Sequence, residues 1–179
     1  TMGQLPSGKM LLVQTVEDVA DLVVANPDKL AYVSQTTLSV DETADIIAAL
    51  NARFPLINNP HKEDICYATT NRQAAVKELA ADCDLVIVVG SPNSSNSNRL
   101  REVATQRGVE AYMVDNASLL QRAWFDGKNK VGVTAGASAP EVLVQQVIQQ
   151  IKDWGVDKVE QGDAVDEHMV FALPKELRE

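Results

Sequence analysis

Leu85-Val86-Ile87-Val88-Val89-Gly90-Ser91-Pro92-Asn93-Ser94-Ser95-Asn96-Ser97-Asn98-Arg99 passes from an unbroken apolar run into a loop of neutral hydrogen-bonding side chains. Five apolar residues without alternation read as a strand buried on both faces, the habit of a parallel sheet. Arg99-Leu100-Arg101-Glu102-Val103-Ala104 then reads as a helix. A loop between such a strand and helix lies at the carboxyl end of the sheet, where open α/β folds bind ligands. Free N–H groups and the helix dipole favour an anion there. Taken alone, the loop reads more readily as a solvated turn with an Asn or Ser N-cap. What favours a ligand is that the chain repeats the design.

Working outward, strands are expected at Met10–Val13, Leu30–Ser34, Ala111–Val114, Val131–Thr134 and Met169–Ala172. Helices are expected over Val16–Ala25, from Ser39 or Asp41 to Phe54, over Arg72–Ala81, from Arg99 to Arg107, from a Ser118 cap to Trp124, and from Pro140 to Trp154. Ile46, Ile47, Leu50 and Phe54 recur at helical spacing and mark a buried face. Strands alternating with helices indicate α/β layers and a mostly parallel sheet. Residues 56–63 carry no periodicity, and Asn58-Asn59-Pro60 is turn chemistry, so a domain boundary is expected there. The expected units are 1–62, 63–154 and a tail at 155–179. The opening Thr1-Met2-Gly3-Gln4 reads as the interior of a longer sequence.

Four segments end in small hydroxyl or amide residues before a helix: Val33-Ser34-Gln35-Thr36-Thr37, Cys66-Tyr67-Ala68-Thr69-Thr70, Val89-Gly90-Ser91 through Ser97, and Thr134-Ala135-Gly136-Ala137-Ser138. Independent N-caps explain one such residue per loop. They do not explain Ser94-Ser95-Asn96-Ser97-Asn98, whereas a phosphate or diphosphate cradle of neutral donors does. The formal net charge of −9 argues against a broad nucleic-acid or anionic-membrane footprint. Neither Gly-x-x-x-x-Gly-Lys-Ser/Thr nor Gly-x-Gly-x-x-Gly occurs, and Cys-x-x-Cys and Gly-x-Ser-x-Gly are also missing. His61 and His168 have no partner at zinc-ligand spacing and read as surface or capping residues. No apolar run reaches membrane-span length and no signal peptide is visible. The 2 cysteines make no disulfide framework, so a reducing cytoplasm is expected. Cys83 reads as core packing. Cys66 reads either as structural or as a thiolate at a helix start, suited to metal binding.

Gln35-Thr36-Thr37-Leu38-Ser39-Val40, Asp64-Ile65-Cys66-Tyr67-Ala68-Thr69-Thr70-Asn71-Arg72-Gln73, Ser94-Ser95-Asn96-Ser97-Asn98-Arg99 and Thr134-Ala135-Gly136-Ala137-Ser138-Ala139-Pro140 follow one another in an order and spacing that resembles the LytB-type 4-hydroxy-3-methylbut-2-enyl diphosphate reductases. The resemblance covers essentially the whole chain. It implies Rossmann-like parallel-sheet domains from a three-domain trefoil whose N-terminal domain is not represented. Residues 1–62 would then be part of the middle domain and 63–154 the third domain. By resemblance, Cys66 is the last of three cysteines holding a [4Fe–4S] cluster. Ser94, Ser95, Asn96 and Ser138 bind the substrate diphosphate, and Thr36 lies near the substrate hydroxyl and helps relay a proton. The implied reaction is reductive dehydroxylation to isopentenyl and dimethylallyl diphosphates in the non-mevalonate isoprenoid pathway, with ferredoxin or flavodoxin as electron donor. The resemblance places two further cluster cysteines, three histidines and a glutamate proton donor in sequence not represented here, and Cys83 matches no cluster position. This chain alone is therefore expected to be inactive and without a stable cluster. The competing expectation is a non-catalytic α/β module that binds a phosphorylated metabolite, with Cys66 structural. A third is self-association through an uncovered apolar face.

Overall fold

Leu85–Val89 (β1) forms the centre of a parallel sheet, and all five of its residues are buried. A computed structural model describes residues 5–60, 64–156 and 158–162 of the chain. Glu110–Val114 (β2) pairs with β1 on one side and Val131–Ala135 (β3) on the other, giving the order β2-β1-β3. Successive side chains of a strand point to opposite faces. Leu85, Ile87 and Val89 accordingly pack with Val114, Leu120, Val147 and Ile151, while Val86 and Val88 pack with Val76, Leu100, Val103 and Ala104. Two apolar layers require two helical layers. Tyr67–Asp82 (α3) and Ser95–Gln106 (α4) cover one face, and Glu141–Asp153 (α5) covers the other.

The connectivity positions the site. β1 leads through α4 to its neighbour on one side, and the chain then passes β1 to enter β3 on the other. The strand order therefore reverses beside β1, and its carboxyl end opens on a crevice. Short 3-10 turns at Ala117–Leu119 and Arg122–Phe125 make that crossing. They are anchored by Trp124 stacked on Tyr112 at 4.1 Å and by Phe125 edge-on to Trp154.

In the first third, Val16–Asp21 (α1) packs on Val40–Arg53 (α2) around Val19, Leu50, Phe54 and Ile57. Thr15 and Asp18 close a capping box on α1, and Ser39 caps α2 by accepting from Glu42 N–H. The Arg53 guanidinium donates to the Val19 and Leu22 carbonyls and so ties the end of α1 to α2.

Several expected elements change. Among the described residues Met10–Val13 forms no strand, and Leu30–Ser34 contributes only a parallel bridge between Ala31 and Asn58. Strand formation needs a neighbouring backbone along its length; without one, Leu12 and Val33 remain 61% and 67% exposed. The first helix stops at Asp21 rather than Ala25. α3 starts at Tyr67 rather than Arg72, and α4 at Ser95 rather than Arg99, because first-turn N–H groups need no intrahelical partner and tolerate Thr, Asn and Ser there. Asn116, not Ser118, caps the turn after β2. Thr1–Gln4, His61, His168 and the expected strand Met169–Ala172 lie outside the described residues, as does most of 155–179.

Candidate functional site

The loops leaving β1 and β3 meet at the switch point. Gly90 N–H donates to Val114 O and Gly136 N–H to Val89 O, both at 2.9 Å, so each glycine extends the sheet by one bond before turning away. Ser97, 1% exposed, inserts its hydroxyl between them. A β-carbon on either glycine would fall on Ser97 Oγ. This close approach brings the first turn of α4 against the β3–α5 loop.

Ser94 is the N-cap of α4. Its Oγ accepts from Ser97 N–H at 3.2 Å and from Ser97 O–H at 3.0 Å, leaving its own proton free to donate outward. Asn96 is buried beside Gly136, and its Nδ2 has no hydrogen-bond partner among the described residues. A buried amide donor left unpaired is costly, and an anion oxygen at the helix N-terminus would satisfy it. Its other end is fixed: Thr69 Oγ1 donates to Asn96 Oδ1 at 3.5 Å, and the same hydroxyl lies 3.2 Å from Cys66 Sγ.

Cys66 is the N-cap residue of α3 and makes no side-chain cap hydrogen bond. The Thr69 hydroxyl holds its thiol below the usual range; partial burial opposes this, and the N–H groups of Thr69 and Ala68 add to it. Cys83 lies at the opposite end of α3, about 24 Å away for 16 helical residues, and burial pushes its thiol up. A lowered pKa means more thiolate at a given pH. In the metal-free chain, iodoacetamide is expected to alkylate Cys66 before Cys83 at neutral pH, with the difference fading as pH rises past both thiols. Peptide mass mapping across a pH series checks this, and earlier labelling of Cys83 would contradict it.

Of the expected site residues, Cys66, Asn96 and Ser94 are brought together. Thr36 joins them through its backbone, its carbonyl accepting from Cys66 N–H at 3.2 Å. Ser95 and Ser138 open into separate spaces. Ser95 lines a cleft of about 260 Å³ with Gln35, Thr37, Leu38, Asn98 and Arg99. Ser138 lines one of about 80 Å³ with Gly90, Ser91 and Asp115. Arg99 supplies the cation at the larger cleft and is already paired with Glu42 and Glu102. An anion in this cleft would therefore depend on neutral donors. Sequence reasoning assigned no role to Thr69, Gln73, Ser97, Gly90 or Gly136.

A sequence model of the LytB protein family matches residues 1–152. The chain belongs to the LytB family. Over 178 residues it is 78% identical to a 4-hydroxy-3-methylbut-2-enyl diphosphate reductase of Neisseria meningitidis serogroup C, covering 99% of this chain and 55% of that protein. It is 69% identical to the Chromobacterium violaceum protein of the same name, covering 57% of it. A solved E-1-hydroxy-2-methyl-but-2-enyl-4-diphosphate reductase from Plasmodium falciparum superposes with a TM-score of 0.72 at 39% identity, over 76% of this chain and 43% of that one. This LytB chain thus spans about half the length of the curated relatives it matches. The α/β, parallel-sheet expectation agrees with this architecture.

A [4Fe–4S] cluster does not fit the described residues by themselves. Among them no group of three or more His, Cys, Asp or Glu side chains could hold a metal ion. Among the described residues Cys66 has no set of metal-ligating side chains beside it. Among the described residues no helix is long and apolar enough to cross a membrane.

Proposed function

We propose that this chain is the portion of a 4-hydroxy-3-methylbut-2-enyl diphosphate reductase that supplies the diphosphate cradle, one cluster thiolate and the Thr36 hydroxyl. The observation that carries the reading is the buried, unpartnered Nδ2 of Asn96, held by a hydroxyl that also touches Cys66 Sγ. An anion donor and a metal-type thiolate joined through one side chain suit a substrate with a diphosphate at one end and its reacting carbon at the other.

The roles follow from the donors. Ser94 and Asn96, at the positive end of α4, take oxygens of the diphosphate; Ser95 and Ser138, which line separate clefts, are assigned to it by the family resemblance alone. Neutral donors cost less to desolvate than lysines and suit a chain of net charge −9. Thr36, beside Cys66, hands a proton toward the allylic hydroxyl, which leaves as water while the carbon skeleton takes up two electrons and a second proton. A cluster held by Cys66 together with ligands outside the described residues would supply the electrons, with a ferredoxin or flavodoxin in the cytoplasm as their source. The division of the chain near residues 62 and 154 belongs to the same proposal.

The test is iron and acid-labile sulfide per chain after anaerobic reconstitution, comparing this chain with a version extended to the length of its relatives. A cluster and reductase turnover in the extended version alone is the expected result. A stoichiometric cluster in the shorter chain would overturn the assignment of Cys66 as one ligand among several from elsewhere. No cluster in either would return the protein to a phosphometabolite-binding module.

A further inference from the structure

Gln73 ends the motif that begins at Asp64, and the functional reading leaves it unused. It lies in the second turn of α3, 1% exposed, on the face that also carries Thr69, Val76 and Ala80. A buried carboxamide in a helix is costly unless both of its ends are paired. Here both are, and both partners lie in one short segment. Gln73 Nε2 donates to Leu38 O at 2.7 Å, and Gln73 Oε1 accepts from Val40 N–H at 3.0 Å.

That segment is the one that presents Thr36. It is pinned at two further points to the stretch leading into α3: Ser34 N–H donates to Asp64 Oδ2 at 2.6 Å, and Cys66 N–H donates to Thr36 O at 3.2 Å. Residues 34–40 are thus laid against residues 64–73 by contacts from Asp64, Cys66 and Gln73. The outermost one, Gln73, sits about 10 Å along the helix from Cys66. It replaces the backbone partners that Leu38 and Val40 lack. Asp64 and Cys66 hold the start of the segment, and Gln73 bonds its far end on both sides of Ser39, where Thr36-Thr37 turns toward the cap of α2; Lys77, one turn further along α3, pairs with Asp41 just beyond. Without it, the Leu38 carbonyl and Val40 N–H lose their partners, and the turn between the Cys66 bond and the Ser39 cap is less closely set.

We infer that Gln73 is a positioning residue that sets the Thr36 hydroxyl against the reacting end of the substrate. This rests on the reductase reading and deepens it. Misplacing a reacting group by about 1 Å can cost on the order of 10²-fold in rate with little change in ground-state binding.

The experiment is a double-mutant cycle in the extended, cluster-loaded reductase: Gln73→Met, Thr36→Val and the pair, with kcat, KM, iron content and thermal unfolding measured for each. Gln73→Met is expected to lower kcat by tenfold or more, on the order allowed by misplacement, with KM within about twofold and iron content unchanged. In the Thr36→Val background it is expected to add no further loss, because residues that act through one another are not additive. Should Gln73→Met fail to accumulate folded, Gln73→Glu is read by the same criteria; it keeps the acceptor for Val40 N–H and loses the donor to Leu38 O. Additive losses, an unchanged kcat or a parallel fall in iron would overturn the positioning role while leaving the reductase reading intact. A wild-type protein that binds its cluster but does not turn over the allylic diphosphate would overturn the reductase reading, and the positioning role with it.

Discussion

Cys66→Ser in the extended reductase is expected to abolish iron binding and turnover while leaving the fold at least as stable as that of the metal-free wild type. The two halves of this expectation have different causes. Losing a group that merely orients a metal ligand typically costs 10- to 100-fold in affinity or activity, so losing the ligand itself should exceed about 100-fold. The fold should respond in the opposite sense. Cys66 occupies the N-cap of α3 without making a side-chain cap hydrogen bond. Serine is among the preferred residues at that position, and its Oγ can accept from a first-turn N–H for a gain of about 1 kcal/mol. The Thr69 hydroxyl beside Sγ finds an oxygen in place of sulfur, a better partner rather than a worse one. A cysteine kept where serine caps better is a cysteine kept for its sulfur. Iron analysis and thermal unfolding of the same preparation separate the two effects. Serine-substituted protein that retains its cluster would refute ligation by Cys66. Protein that loses both cluster and fold would make the cysteine a structural residue first.

The legibility of this site in the sequence was uneven, for reasons visible in α3. In the sequence this helix was expected over Arg72–Ala81, with no buried face assigned to it. The buried face in fact runs Thr69, Gln73, Val76, Ala80, and its first two members are polar. Counting apolar residues cannot find a face whose first members are a hydroxyl and a carboxamide, each paired to a different segment. With the start misplaced, Thr69 and Gln73 do not register as neighbours on one helix face, and the link from Cys66 to Asn96 is invisible. β1 was legible for the opposite reason. Burial on both faces leaves nothing but apolar residues, and the reversal of strand order follows from which neighbours it takes. Met10–Val13 and Leu30–Ser34 have strand composition, yet pairing is a property of two segments, and among the described residues Ala31 and Asn58 make the single bridge. Cys66 and the string holding Ser94 and Asn96 stood out from the residues themselves, and motif resemblance gave each its role. What the motifs could not convey is that Ser94 is occupied as a helix cap, or that Ser95 and Ser138 face different clefts.

Gly136→Ala is expected to be among the most damaging single-atom additions to the chain, and its rescue pattern is specific. Neither Gly90 nor Gly136 has the positive φ that makes glycine necessary on backbone grounds. Their constraint is the Ser97 side chain lodged between them. A β-carbon on Gly136 would overlap Ser97 Oγ, approach Ser97 Cβ to 3.3 Å and come within 3.7 Å of Asn96 Nδ2. Ser97 cannot retreat, because its Oγ bonds the Ser94 cap and its Cβ is fixed by α4. Overpacking of this kind costs roughly 1–3 kcal/mol when neighbours can shift, and more when they cannot. About 3 kcal/mol is expected here, together with loss of pyrophosphate binding, since the displaced turn carries Ser94 and Asn96. Removing the hydroxyl should relieve one clash and not the other. With Ser97→Ala the nearest remaining atom to the new methyl at position 136 is Ser97 Cβ at 3.3 Å, tight but tolerable. At position 90 that same atom is at 2.6 Å and still collides. Ser97→Ala itself gives up one buried hydrogen bond, about 1 kcal/mol. The double variant Gly136→Ala/Ser97→Ala is therefore expected to recover most of the lost stability, whereas Gly90→Ala/Ser97→Ala is not. Chemical denaturation of the four variants decides it. Equal rescue at both glycines would mean that the β1–α4 loop moves aside freely, and a loop that moves aside freely is not the rigid cradle that the proposed diphosphate binding by Asn96 requires.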